Sequence, residues 1–461
     1  MRRLLVLLFL FKKMHILLPI AALLAGCTIY ERIFGTEMAH AHIYDALWFH
    51  TLWGIVLIYA CFECIRRRVW RRPIIALLHA SFILIAIGYA FTCYHATTGT
   101  LHLRIGVTAS HYFADDNRVN ALPTPITLDE LVFTSTERPE AYCVISSNQA
   151  EKAQLATNAV LEINRHRFYQ SALDRDGKGV HLTIIYDPFG RWFSHAGFCL
   201  FIVTAIFWML RKFHNQWRKK WGTQSPMKTD ATTRAFLVGT TLFAGWGYYI
   251  FFEKYLLQGF APLLNIQDTL HLLTLVLLTI TIPLSFYFKR EIIIFISQII
   301  LSIILIYTIL FNNNIHTDIP QILNSPWLFS HVVIIILAYS LFTLCALFSA
   351  TALVVKDFAL HLRLTTLSRH LLIPAVILLT IGIMIGAIWA GASWGAYWQW
   401  DPKEVWALIT LLLYCVPLHR GDKGLLKTTR QYHIFMLVSY LSVLMTYLGV
   451  TYLLGGLHSY G

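Results

Sequence analysis

Charge is scarce in this chain: Asp, Glu, Lys and Arg make up 13% of its 461 residues, against 57% hydrophobic ones. Soluble domains carry about twice that charged fraction, so an ordinary soluble globule is excluded and a polytopic membrane protein is implied. A disulfide framework is missing too. Of eight cysteines, Cys27, Cys61, Cys64, Cys93, Cys199, Cys345 and Cys415 lie in or beside apolar runs and Cys143 stands alone in a polar stretch, so all read as structural. Cys61-Phe-Glu-Cys64 has redox spacing without thioredoxin-like surroundings. Leu24-Ala-Gly-Cys27, behind Lys12 and Lys13, mimics a lipoprotein cleavage site but is read as part of an uncleaved first helix.

What the chain has is apolar runs. Eleven approach the roughly 20 residues that cross about 30 Å of hydrocarbon. They centre near Ile20, Ile55, Leu84, Ile202, Leu242, Leu275, Ile300, Leu337, Leu379, Leu411 and Leu444. The net charge of +13 is spread by membrane side rather than gathered into a nucleic-acid-binding patch. Arg2–Lys13, Arg66–Arg72, Arg211–Arg234, Lys289–Arg290, Lys356–Arg369 and Arg420–Arg430 hold 25 of 37 Lys and Arg. The positive-inside rule then places the N-terminus in the cytoplasm.

Between Tyr94 and Arg191 hydropathy falls and apolar and polar residues alternate, as in Leu101–Ile105, Ile126–Phe133, Ala141–Ile145, Ala159–Ile163 and Val180–Tyr186, with a hairpin turn at Asp176–Gly179. The expected fold is therefore an all-α polytopic membrane protein of about 11 transmembrane helices with one β-rich extracytoplasmic domain. Its divisions are 1–94, N-terminal helices; 95–190, the β-rich domain; 191–234, the fourth helix and a basic cytoplasmic linker; and 235–461, a second helical domain.

Trp389, Trp394, Trp398, Trp400 and Trp406 put five of fourteen tryptophans into eighteen residues between two apolar runs. An interfacial belt scatters one or two rings per helix end; this density, with Gly391 and Gly395 among the indoles, suggests a platform for a flat ligand. Histidines at or in the membrane also need an account, because imidazole is the favoured axial donor to haem iron. By position along the helices, His79 and His419 lie towards the cytoplasmic side, while His331 and His458 lie at the outer level with the tryptophans. His195 competes with His79, but its outer depth argues against pairing with His419. His50, His271 and His370 read as structural. Asp401 is placed to cap the helix that Pro402 begins. No Cys-x-x-Cys-His motif is present, so the chain is not itself a cytochrome c.

The tryptophan-rich run, His419-Arg420 and Gly455-Gly-Leu-His-Ser-Tyr-Gly461 resemble the WWD-containing CcsA family. His79–Gly88 and Arg167–Gly179, running on to Asp187-Pro188, resemble the CcsB (ResB) family. Their order resembles the fused CcsBA type of system II cytochrome c synthase. That resemblance implies haem b as substrate and ligand, and His79, His419, His331 and His458 as axial ligands of the iron. It also implies that Trp389, Trp394, Trp398, Trp400 and Asp401 surround haem. His331 and His458 would present it for thioether attachment to the Cys-x-x-Cys-His motif of apocytochrome c. Expected partners are haem, apocytochrome c, thiol-reducing proteins outside a bacterial cytoplasmic membrane, and lipid. Two rivals are a haem exporter without ligation activity and a bis-His electron-transfer cytochrome. The latter usually draws its ligands from two helices, whereas four helices supply them here.

Overall fold

The computed structural model describes residues 16–133, 141–147, 150–156, 160–220, 231–258, 263, 266–287, 292–311, 323, 325–419 and 426–454. Eleven long helices occur among them. They are α1 (Leu17–Phe34), α2 (Leu47–Arg66), α3 (Pro73–His95), α4 (Gly190–Lys220), α5 (Ala231–Gln258), α6 (Ile266–Tyr287), α7 (Ile292–Phe311), α8 (Pro326–Val354), α9 (Phe358–Ser393), α10 (Pro402–Leu418) and α11 (Thr429–Leu444, continued as π-helix to Leu454). Nine of these described helices are long and apolar enough to cross a membrane. The apolar part of α7 is shorter (Ser297–Leu310), and α10 has 17 residues.

Local chemistry fixes where the helices begin. Proline opens α3, α8 and α10, where its missing N–H has no intrahelical partner to lose. Thr428 and Gln431 form a reciprocal capping box on α11, and Asp357 accepts from the first amides of α9. At 36 residues, α9 is about 54 Å long, well beyond the roughly 30 Å hydrocarbon core. α4 stays helical as far as Lys220, through the first ten residues of the basic segment Arg211–Arg234. A helix leaving the membrane keeps its own hydrogen bonds, and Arg, Lys and Gln are good helix formers.

One core lies between α8, α9, α10 and α11, around Phe342, Leu372, Leu379, Tyr414 and Met436. α2 and α3 instead leave most of their apolar surface uncovered by protein, as a lipid-facing helix does. α1 packs against α10: Cys27 is buried in that contact and Trp406 Nε1 donates to Thr28 Oγ1 at 3.2 Å. The lipoprotein-like Leu24–Cys27 run is thus internal to a packed helix.

Between α3 and α4 lies one eight-stranded antiparallel sheet: β1 (Thr97–Arg104), β2 (Thr108–Ala114), β3 (Val119–Phe133), β4 (Ala141–Ser147), β5 (Ala150–Leu155), β6 (Leu161–Ile163), β7 (His166–Leu173) and β8 (Gly179–Tyr186), ordered 5-4-3-2-1-8-7-6. Alternate residues such as Leu101, Leu103, Ile126, Leu128, Phe168 and Leu182 point to one apolar core. The strands β2, β5 and β7 were not anticipated. Among their exposed residues are Ser110, His111, Gln154 and Ser171, which dilute the alternation that marks a half-buried strand. Pairing of β1 with β8 brings the two ends of the domain together, so α3 and α4 enter side by side.

Candidate functional site

His79 lies on the second turn of α3 and His419 caps the C-terminus of α10, so helices from opposite halves of the chain meet here. Their ring centroids are 5.9 Å apart with planes at 88°. Each Nδ1 lies 2.8 Å from the carbonyl four residues earlier, Ile75 for His79 and Cys415 for His419. A carbonyl only accepts, so both Nδ1 atoms carry the proton and the lone pairs sit on Nε2. That is the tautomer in which a ligating histidine is oriented through its other nitrogen. Two neighbouring imidazoles, each with its lone pair on Nε2, are donors of the kind that hold haem iron.

At the other end of the bundle, His331 on α8 leans against α9. Its Nδ1 donates to the Gly382 carbonyl at 2.7 Å, which again leaves the lone pair on Nε2. A Cβ on Gly386 would stand 2.6 Å from that Nδ1, so a glycine is what lets the ring lie flat on the helix. A cavity of about 190 Å³ opens beside it, and Trp389, Trp398, Lys403, Glu404 and Tyr447 share its wall with His331. The indole nitrogens of Trp389, Trp394 and Trp398 are buried with no hydrogen-bond partner among the described residues. An unmade bond at a buried donor costs about 1–3 kcal/mol, and two of these donors, on Trp389 and Trp398, belong to residues of the cavity wall. His458 lies outside the described residues; Thr446, Tyr447 and Thr451 of the preceding turns reach the cavity.

The five indoles do not form one platform. Trp389 and Trp394 meet edge to face at 4.7 Å, over Leu323 and Leu328. Trp400 is not among the residues lining the cavity. It stacks on Tyr44 (5.6 Å, 6°), meets Phe49 edge-on at 4.8 Å and donates from Nε1 to Tyr89 Oη at 3.2 Å. Its φ of 59° is uncommon for a bulky residue, and this packing holds it there. Trp400 therefore keys the loop onto the N-terminal helices. Asp401 is likewise engaged locally: its Oδ2 accepts from the Lys403 amide at 3.0 Å, while Glu404 Oε2 accepts from the amides of Gln399 and Asp401. That capping box aims Lys403 at the cavity, where Nζ reaches Thr451 Oγ1 at 3.5 Å. Lys403 was not anticipated as a site residue, although a lysine beside an apolar run is costly enough to flag one.

The sheet rests directly on the tryptophan-rich loop. Tyr169 Oη donates to the Gly391 carbonyl at 2.9 Å, and Arg167 reaches the same oxygen at 3.5 Å while lying over the Tyr169 and Tyr397 rings. A side chain on Gly395 would strike Ile185 of β8. His195 donates to or accepts from Tyr397 Oη at 3.2 Å, at this end and not with His79. His271 has both nitrogens engaged, by Gly247 and Thr308, in the manner of a structural histidine. Arg191 grips Glu162 with two bonds of 2.6 and 2.7 Å and holds its carboxyl below the ordinary range.

Residues 263–458 match the model of the Cytochrome C assembly protein family. A cytochrome c biogenesis protein CcsA from Guillardia theta is 33% identical over 239 residues, which are 45% of this chain and 79% of that protein. The chain belongs to the cytochrome c assembly family. NrfI of Wolinella succinogenes is 39% identical over 156 residues, 31% of this chain, and CcsA of Chlamydomonas reinhardtii 37% over 152 residues, 30% of it. The matches span only 17% and 42% of those two relatives. The assembly-family region holds His331, the tryptophan-rich loop, His419 and His458; His79 and the sheet precede it.

Proposed function

We propose that this membrane protein carries haem from the cytoplasmic to the outer side of a bacterial cytoplasmic membrane and attaches it covalently to apocytochrome c. The observation that carries this reading is the placement of His331 in a tryptophan-walled cavity just beneath the loop on which the sheet rests. A haem held there lies beside a folded domain suited to receiving a polypeptide. In this reading residues 1–94 and the extracytoplasmic sheet domain, 95–190, form the CcsB-like half. The fourth helix and linker, 191–234, join it to 235–461, and all eleven helices span the membrane.

His79 and His419, at the end near Arg66–Arg72, take up haem b. His331, with His458 as its partner in this reading, presents it near the other end of α10, a 17-residue helix about 25 Å long at about 1.5 Å per residue. The buried indole N–H groups of Trp389 and Trp398 and the Lys403 ammonium are donors suited to the haem propionates. Haem supplies the two vinyl groups. Each thiol of the Cys-x-x-Cys-His motif adds its sulfur to one vinyl carbon and its hydrogen to the other, so no oxidant is consumed. Thiol-reducing partners outside the membrane keep those thiols available. The chain contributes no nucleophile: it fixes the distance and orientation of the reacting edges, which is worth several orders of magnitude in rate. The substrate's own histidine then replaces an axial imidazole and releases product.

The purified haem-loaded chain, mixed with reduced apocytochrome c, is expected to yield haem that acid extraction cannot remove from the cytochrome. A chain that hands over haem without thioether formation is an exporter, and this reading fails.

A further inference from the structure

The sheet carries a second cluster of ligand-type side chains, well away from both histidine sites. β1 and β8 pair so that His102 and His181 are direct cross-strand partners. Their rings stack at 4.3 Å with planes 13° apart. Asp174, just past β7, lies across both: its carboxylate is 2.9 and 3.0 Å from His102 Nε2 and 3.3 Å from His181 Nε2. Gly179 faces this carboxylate, and a Cβ there would overlap Asp174 Oδ2 and stand 3.1 Å from His102 Nε2. The glycine therefore keeps open the space into which all three donors converge. Arg104 approaches Asp174 at 4.0 Å, but its nearer partner is Asp176.

We propose that His102, Asp174 and His181 form a binding site for a divalent transition-metal ion of the zinc class. Two imidazole nitrogens and one carboxylate oxygen are a donor set that zinc, nickel and copper share. Around a tetrahedral ion with bonds of about 2.0–2.1 Å, neighbouring donors lie about 3.3 Å apart. The three donor atoms already lie within 4.8 Å of one another, with carboxylate-to-imidazole spacings of 2.9–3.3 Å. Small side-chain rotations suffice to admit an ion, with no movement of the paired strands. Both imidazoles are about half exposed, so the remaining coordination position opens to solvent or to an incoming ligand. The ion would pin the β7–β8 turn to β1. In its absence the same groups form a hydrogen-bonded clamp, and metal uptake distinguishes the two.

The test is calorimetric titration of the full-length chain in detergent with zinc alone, beside His102→Asn and His181→Asn variants. Both substitutions lie on the exposed face of the sheet and leave the haem-site histidines in place. One equivalent is expected to bind the unsubstituted protein and to weaken at least tenfold in each variant. Gly179→Ala, which displaces Asp174, is expected to weaken it too. Haem content equal to that of the unsubstituted protein shows that a variant is folded. Equal stoichiometry and affinity in all folded proteins overturns the proposal. X-ray absorption of the zinc-loaded unsubstituted protein gives a second reading that needs no variant: two imidazoles and oxygen support the site, and any other ligand set overturns it.

Discussion

Gly386→Ala tests how His331 is held without touching the histidine itself. The added Cβ would lie 2.6 Å from Nδ1 and 2.7 Å from Cε1, whereas ordinary contacts begin near 3.4 Å. The ring must retreat by about 0.8 Å, the difference between 3.4 and 2.6 Å. A shift of that size stretches the 2.7 Å bond to the Gly382 carbonyl towards 3.5 Å, where it ceases to be a useful hydrogen bond. Loss of the group that orients a ligating histidine typically costs about 10–100-fold in metal affinity. That is roughly 1.4–2.7 kcal/mol, within the usual range for an overpacked helix contact. The assay is haem bound at the outer site and the rate of attachment to apocytochrome c, both expected to fall 10–100-fold while haem at the inner pair is unchanged. Gly239→Ala on α5 is the control, because a Cβ there would meet nothing within 4 Å. Wild-type attachment by the Gly386→Ala protein would refute this account of His331.

Three further outcomes are expected. Trp400→Ala should cost about 3–5 kcal/mol of stability, because it removes a ring packed on Tyr44 and Phe49, and a thermal melt that does not move would contradict that placement. Alanine at His79 or His419 should abolish haem bound at the inner pair, read as loss of the corresponding visible absorbance, and undiminished absorbance would remove the pair from the pathway. Burial pushes the Cys143 thiol up to about 12, so at pH 8 almost no thiolate exists and alkylation should proceed only after denaturation; rapid labelling of the folded protein would show the sheet core to be open.

The eleven helices were legible because uninterrupted apolar runs, bounded by Pro73, Pro326, Pro402 and charged clusters, leave little else for the backbone to do. The end of the bundle at which His79, His419 and His331 lie followed from the same runs, and the structure puts His79 with His419 and keeps His195 apart. The sheet was only half visible: β1 alternates cleanly and β8 does so from Val180 to Ile184, whereas β7 combines buried Arg167, Phe168 and Tyr169, a pattern that alternation does not flag. The division of labour among the tryptophans was not legible at all. Trp398 and Trp400 are two residues apart and chemically identical, yet one lines a cavity and the other fills an interface formed by Tyr44, Phe49 and Trp53. Which indole goes where depends on contacts some 350 residues distant, and no local spacing encodes that.

The central claim is that imidazoles at both ends of the helix bundle hold haem. It is tested most directly by measuring porphyrin bound to the intact chain purified from haem-replete cells, beside a His79→Ala/His331→Ala protein that stays folded. The account expects haem in the first and almost none in the second. Equal haem in both, or none in the unsubstituted chain, would contradict it.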